Sequence, residues 1–147
     1  MITNLWNELK NQALKFKNRD FLDASLAGAA LVTMADGVIS SKEKQKMVKF
    51  MDGYEELSVF TMDEVIEIFQ RFVDQIELDK DVGEAAAYVT LSKIKDDEEL
   101  SKLLLRMVIA LGFADGNFDT QERLMAIKIA KALELNPSEF DLIELIE

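Results

Sequence analysis

The stretch Ala35-Asp36-Gly37-Val38-Ile39-Ser40-Ser41-Lys42-Glu43-Lys44 returns 79 residues later as Ala114-Asp115-Gly116-Asn117-Phe118-Asp119-Thr120-Gln121-Glu122-Arg123. Both copies read Ala-Asp-Gly, a variable residue, an apolar residue, Ser or Asp, two variable positions, Glu and a base. A long apolar run precedes each copy and an amphipathic run follows, so each predicts helix, Asp-Gly turn, helix. Gly37 and Gly116 supply the left-handed conformation that ends the first helix. Ser40 and Asp119 are suited to cap the second, with Glu43 and Glu122 three residues on as capping-box partners. Asp36 and Asp115 are the acids that the turn glycine and the cap do not already explain.

An EF-hand alignment fits only half of each copy. With Asp36-Gly37 at the middle of such a loop, Ser40 and Glu43 fall on ligand positions, but the first ligand positions become Val32 and Met34, or Leu111 and Phe113 in the second copy. None of these side chains ligates a hard cation, and all belong to a helical pattern. The calcium cage of that motif is absent.

Outward from the repeat, apolar spacing near 3.6 residues dominates and strand-type alternation is missing, which predicts an all-α, compact single-domain helical protein of about seven or eight helices, residues 1–147, built on an internal helix–turn–helix repeat. Phe21 to Met34 is apolar almost all round and thinned by Ala24, Ala27, Gly28, Ala29 and Ala30, so it reads as a central helix that neighbours approach closely. The helix after Ser40 turns Met47, Val48, Phe50 and Met51 inward, and Asp52-Gly53 closes it. Thr61 caps another, with Glu64 as box partner, a Phe60–Val65 staple, and Val65, Phe69, Phe72, Val73 and Ile76 inward. A further helix runs from about Asp81 to Lys95 with Val82, Ala86, Val89 and Ile94 inward. Asp96-Asp97-Glu98-Glu99 begins the counterpart of the central helix, roughly Asp97 to Phe113, because acids in a first turn are stabilised by the helix dipole. The helix after Asp119 buries Leu124, Ile127, Ala130 and Leu133. Asn136-Pro137-Ser138-Glu139 opens a last short one, stapled by Leu135 and Phe140. Met34, Met47, Met51 and Met107 sit at apolar helical positions and read as core filling rather than as a binding groove.

Residues 1–19 differ from the rest. Lys10, Lys15, Lys17 and Arg19 outnumber Glu8, so this segment is +3 by count and the remainder −14, within a total of −11. Trp6, Leu9, Ala13 and Phe16 make one apolar stripe. Either this is a separate first helix docked on the core, or it is a basic amphipathic helix that touches an anionic membrane or a partner.

Composition removes several function classes. The chain has no Cys and no His, which excludes thiol chemistry, disulfides, zinc fingers and imidazole acid–base catalysis. A bound metal would be held by carboxylates, carbonyls and water, which selects Ca²⁺, Mg²⁺ or Mn²⁺. The net negative charge argues against nucleic acid. No leader is read at the N-terminus, and the longest uncharged run, Ala24 to Ala35, falls short of the ~20 residues a span requires. A cytoplasmic protein is expected.

Thr61/Glu64 and Asn136/Glu139 show that this chain uses capping boxes where no Asp-Gly precedes them, so Glu43 and Glu122 have a structural account, and Asp36 and Asp115 fit ordinary turn residues. The recurrence of the whole constellation favours more. Asp36, Ser40 and Glu43 around one turn, and Asp115, Asp119 and Glu122 around the other, bring carboxylates close enough to repel unless a cation or proton sits between them.

The runs ADGVISSKEKQKMVKFM, EELSVF, DEVIEIF and ADGNFDTQE resemble the tellurite-resistance protein TerB family, and the resemblance extends over nearly the whole chain. It implies an all-helical cytoplasmic protein that binds divalent cations and takes part in bacterial tolerance of tellurite and other stresses. It implies, too, work beside an integral membrane partner and other proteins of that resistance system, at the inner face of the membrane, and not as an enzyme. Asp36, Glu43, Asp115 and Glu122 match the family's paired acidic motifs, whereas Ser40 stands where the second copy has Asp119. Two other classes stay open: an interaction module whose acids merely cap, and a metal-dependent hydrolase.

Overall fold

Nothing between Ile2 and Thr33 breaks a helix: the stretch has no proline, and its one glycine is Gly28. In the computed structural model, which describes residues 2–35, 41–54, 57–114 and 118–142, it forms a single 32-residue helix, α1 (Ile2–Thr33). Then come α2 (Ser41–Asp52), α3 (Met62–Leu78), α4 (Lys80–Leu91), α5 (Glu98–Ala114) and α6 (Thr120–Ala132), with 3-10 turns at Ser92–Ile94 and Pro137–Phe140. No strand occurs among the described residues, and the all-α expectation holds.

The single α1 corrects the expectation of a separate helix over residues 1–19. The junction is bridged by Arg19, whose Nε donates to Asp23 Oδ1 at 3.0 Å one turn on. The docked-helix alternative fails as well. Leu5, Trp6, Leu9 and Ala13 are exposed, and among the described side chains the buried part of α1 begins at Phe21.

From there α1 is the hub, packed on α3, α4, α5 and α6. Small residues permit this. A methyl built on Gly28 would stand 3.2 Å from Val108 Cγ1 and 3.3 Å from Leu104 Cδ2, both on α5. Leu104 and Val108 bracket Met107, which lies 79 residues beyond Gly28. The two repeats therefore meet at equivalent positions, and each α1/α5 contact point lies about 12 Å, at 1.5 Å per residue, from the start of its own Asp-Gly turn. The following helices cross over: α2 packs on α5, and α6 on α1. Met34, Met47, Met51 and Met107 are all buried, as expected of core filling.

α3 buries Val65, Ile68, Phe69, Phe72, Val73 and Ile76, the expected face with Ile68 added. Thr61 Oγ1 accepts from the Glu64 N–H at 3.1 Å, and Phe60 and Val65 are both buried as a staple requires. Asp79 ends α3 and starts α4 at once. Its N–H donates to Gln75 O at 3.1 Å, and its carboxylate accepts from the Val82 N–H at 3.2 Å.

That one-residue connection forces α3 and α4 together, and it explains a second correction. Val82 and Val89 are exposed; α4 instead buries Gly83, Ala87 and Leu91, and ends at Leu91 before a 3-10 turn that buries Ile94. A Cβ on Gly83 would sit 2.5 Å from Ile76 N and Cα, so only glycine admits this approach. The bulky face was expected inward, and the small one is.

α6 departs likewise: Leu124 is exposed and Ile127 only partly buried, whereas Met125, Ala126, Ile129 and Ala130 are buried. A run of steps of three drifts by 60° per step on a helix of 100° per residue, so 124, 127, 130 and 133 cannot share one face. Tyr88 Oη donates to Met125 Sδ at 3.2 Å, tying α4 to α6, and burial with Glu84 nearby pushes its pKa up to about 12. The last expected helix is a 3-10 turn, Pro137–Phe140, opened by Asn136, whose Oδ1 accepts from the Ser138 N–H at 3.1 Å.

Candidate functional site

The second copy of the repeat is where the described residues reach the site. Gly112, in the last turn of α5, has no side chain because the Phe118 ring takes that space: a Cβ would lie 2.4 Å from Phe118 Cδ2. Phe118 is buried, and its centroid is 4.8 Å from that of Phe113. Arg123 lies over the Phe118 ring, 5.8 Å from its centroid. The aromatic residue between the Asp-Gly and the cap thus pins the chain between α5 and α6.

Immediately after it, Asp119 is an extended N-cap with φ −74° and ψ 174°. Asp119 Oδ1 accepts from the Glu122 N–H at 2.8 Å, and Glu122 Oε1 accepts from the Asp119 N–H at 3.3 Å. The reciprocal box expected from the sequence is complete. Both carboxylates are partly buried at the N-terminus of α6, where the helix dipole favours negative charge. In this arrangement one oxygen of each acid is committed to the backbone, and the two acids are held in fixed register three residues apart.

The other expected site residues lie elsewhere. Asp36, Ser40 and Asp115 fall outside the described residues, and so does the side chain of Glu43, whose backbone belongs to the first turn of α2. The structure therefore brings together Asp119 and Glu122 of the six. Among the described residues no group of three or more carboxylates is placed to hold a metal ion.

A second acidic feature was expected only to cap, and it does. Asp97 Oδ1 accepts from the Leu100 N–H at 3.1 Å, so Asp97 starts α5. With Asp20, Lys93, Asp96, Glu98 and Glu99 it lines a hollow that Phe21, Ile94 and Leu100 also line. Sequence reading missed one feature of the surface: Phe50, Ile109, Ala110, Phe113 and Phe140 line an apolar groove between α2, α5 and the last turn, with Arg106 over the Phe140 ring at 5.9 Å. Phe50 follows the first Asp-Gly and Phe113 precedes the second, so the groove joins the second helix of one repeat to the first helix of the other, a meeting that the packing of α2 on α5 reveals.

Among the described residues no helix is long and apolar enough to cross a membrane. The family model described as "Tellurite resistance protein TerB" matches residues 22–145. A curated relative, "Tellurium resistance protein TerB" of Alcaligenes sp, is 35% identical over 108 residues, which cover 74% of this chain and 88% of the relative. No solved structure matches the chain. With the matched segment spanning both Asp-Gly turns and every helix from the buried half of α1 to the last 3-10 turn, the chain belongs to the tellurite resistance protein TerB family.

Proposed function

We propose that this protein binds a divalent cation (Ca²⁺, Mg²⁺ or Mn²⁺) through the acids of its two Ala-Asp-Gly turns and acts as a non-enzymatic adaptor in tellurite resistance. The observation that carries the cation reading is the repeat itself. Asp36, Ser40 and Glu43 recur as Asp115, Asp119 and Glu122 with the same spacing, and the helices that lead into the two turns, α1 and α5, pack against each other at Gly28. The capping box accounts for the spacing of Glu43 and Glu122, and the return of an acid at Asp36 and Asp115 ahead of both boxes is what favours a cation. The resistance role is supported by family membership.

In this reading the capping box orients its two acids and Asp115 joins them across the turn. Each turn binds its own cation, and the second binds more tightly because Asp119 carries a charge that Ser40 lacks. The cation neutralises crowded carboxylates and stiffens both turns, giving a surface that a partner protein of the resistance system recognises. The resemblance points to a cytoplasmic protein that works beside an integral membrane partner at the inner face of the membrane. One observation favours a second reading, a metal-free interaction module: the box already gives Asp119 and Glu122 a structural task.

Tolerance separates the two. A tellurite-sensitive host lacking its own copy should regain growth on tellurite with the wild-type chain. It should not regain growth with the double variant Asp36→Asn/Asp115→Asn, whose far-ultraviolet dichroism should match the wild type. Full rescue by the double variant would assign the role to the module and not to cation binding.

A further inference from the structure

Leu5, Trp6 and Leu9 are 56%, 67% and 50% exposed. Every described side chain from Asn4 to Lys10 faces solvent, as do Ala13, Arg19 and Asp20. Asn18 is half-buried, and the described side chains before it are exposed, so residues 2–20 of α1 make an arm about 28 Å long at 1.5 Å per residue, continuous with the buried part of the same helix. At 100° per residue, Leu5, Trp6, Leu9 and Ala13 fall within about 100° of arc, and Phe16 keeps the register in sequence. Lys10, Lys15 and Lys17 against Glu8 and Asp20 leave the arm net basic, while Arg19 is paired with Asp23 at 3.0 Å. At its root stands a net acidic hollow of Asp20, Asp96, Asp97, Glu98 and Glu99, with Lys93 also in its lining and Glu98 paired with Lys102 at 3.0 Å. The family model begins at residue 22, so the arm lies outside the matched segment.

We propose that this arm is a reversible anchor for an anionic lipid surface. An exposed apolar stripe with tryptophan near its end, on a helix whose polar face is basic, is the composition that lies in the headgroup–acyl boundary. Leu5, Trp6 and Leu9 enter that boundary, and the net positive charge of the arm draws it to the anionic headgroups. The acidic collar at the root is repelled by the same surface, so the body stands off and only the arm inserts. Charge and size disfavour a second copy as the occupant. Paired arms would set base against base, and one face of so short a helix buries less than the roughly 800 Å² per partner of a stable dimer.

Trp6 is the only tryptophan of the chain and reports directly on the arm. The full chain, in chelator so that no cation bridges protein and lipid, is titrated with vesicles of phosphatidylcholine alone and of equal parts phosphatidylcholine and phosphatidylglycerol. A blue shift of Trp6 emission is expected with the anionic vesicles only, and high salt should reverse it. Leu5→Glu/Leu9→Glu should lower partitioning at least about tenfold, and Lys10→Glu should lower it less. Both should leave the thermal melt unchanged, because these residues touch no core. The proposal is overturned by no shift on anionic vesicles, by equal shifts on both kinds, or by binding that survives the double variant. A shift that grows with protein concentration without lipid would overturn it in favour of self-association.

Discussion

Asp119 has two tasks that ordinarily compete. As an N-cap it accepts the Glu122 N–H; as a proposed ligand it contributes charge. Substitution separates them. Asparagine keeps the cap and removes the charge, whereas alanine removes both. Without added cation, Asp119→Ala should cost about 1 kcal/mol, or roughly 2–4 °C in melting temperature for a chain of this size. Asp119→Asn should melt within about a degree of the wild type. With cation, both should bind more weakly. Calorimetric melts of the two variants, with and without metal, test this, and equal apo stability of Asp119→Ala and wild type would contradict the capping role. The box was legible in the sequence because it is local, a bond between residue i and residue i+3. Asp36 and Asp115 were legible only as candidates, since what a turn acid faces depends on chain that arrives from elsewhere.

At the scale of the element, local signals placed starts and stops well and faces less well. Thr61, Asp97, Asp119 and Asn136 all open helical segments as expected, and Asp52-Gly53 closes α2. The face of α3 was legible because Val65, Phe69, Phe72, Val73 and Ile76 recur at helical spacing on one side and are buried. The face of α4 was not. Spacing locates apolar side chains but says nothing of how near the neighbouring backbone comes, and Asp79 leaves α4 no distance from α3. Gly83 carries that constraint. Gly83→Ala places a methyl against Ile76 backbone that cannot yield as a side chain would, so overpacking of about 1–3 kcal/mol should outweigh the helix-propensity gain of about 1 kcal/mol. The expected result is a net lowering of the melting temperature by a few degrees, measured by dichroism. At the solvent-facing Ala85 of the same helix, substitution to glycine should cost only the propensity term. A Gly83→Ala variant more stable than wild type would mean that α3 and α4 are not in this contact.

Across the whole molecule, composition and period sufficed for the fold class, and the 79-residue repeat sufficed to identify α1 and α5 as counterparts. Their meeting at Gly28 and Leu104/Val108 was not legible, because it depends on which small residue lies at the crossing. Nor was the length of α1. The change from basic to acidic near residue 20 suggested a boundary, but charge changes the solvent-facing surface of a helix without interrupting its backbone. The outcome divides the chain into an acidic body that belongs to the TerB family and a basic arm outside the matched segment. The central claim concerns the body: carboxylates gathered at two turns should make the native state a better cation ligand than the unfolded chain. A thermal melt of the full chain in excess Ca²⁺, Mg²⁺ or Mn²⁺, against chelator, measures this directly. At about a hundredfold excess over the dissociation constant, one bound ion stabilises the fold by about 2.7 kcal/mol, so the melting temperature should rise by roughly 5–10 °C with at least one of the three. Identical melts in chelator and in all three cations would contradict it.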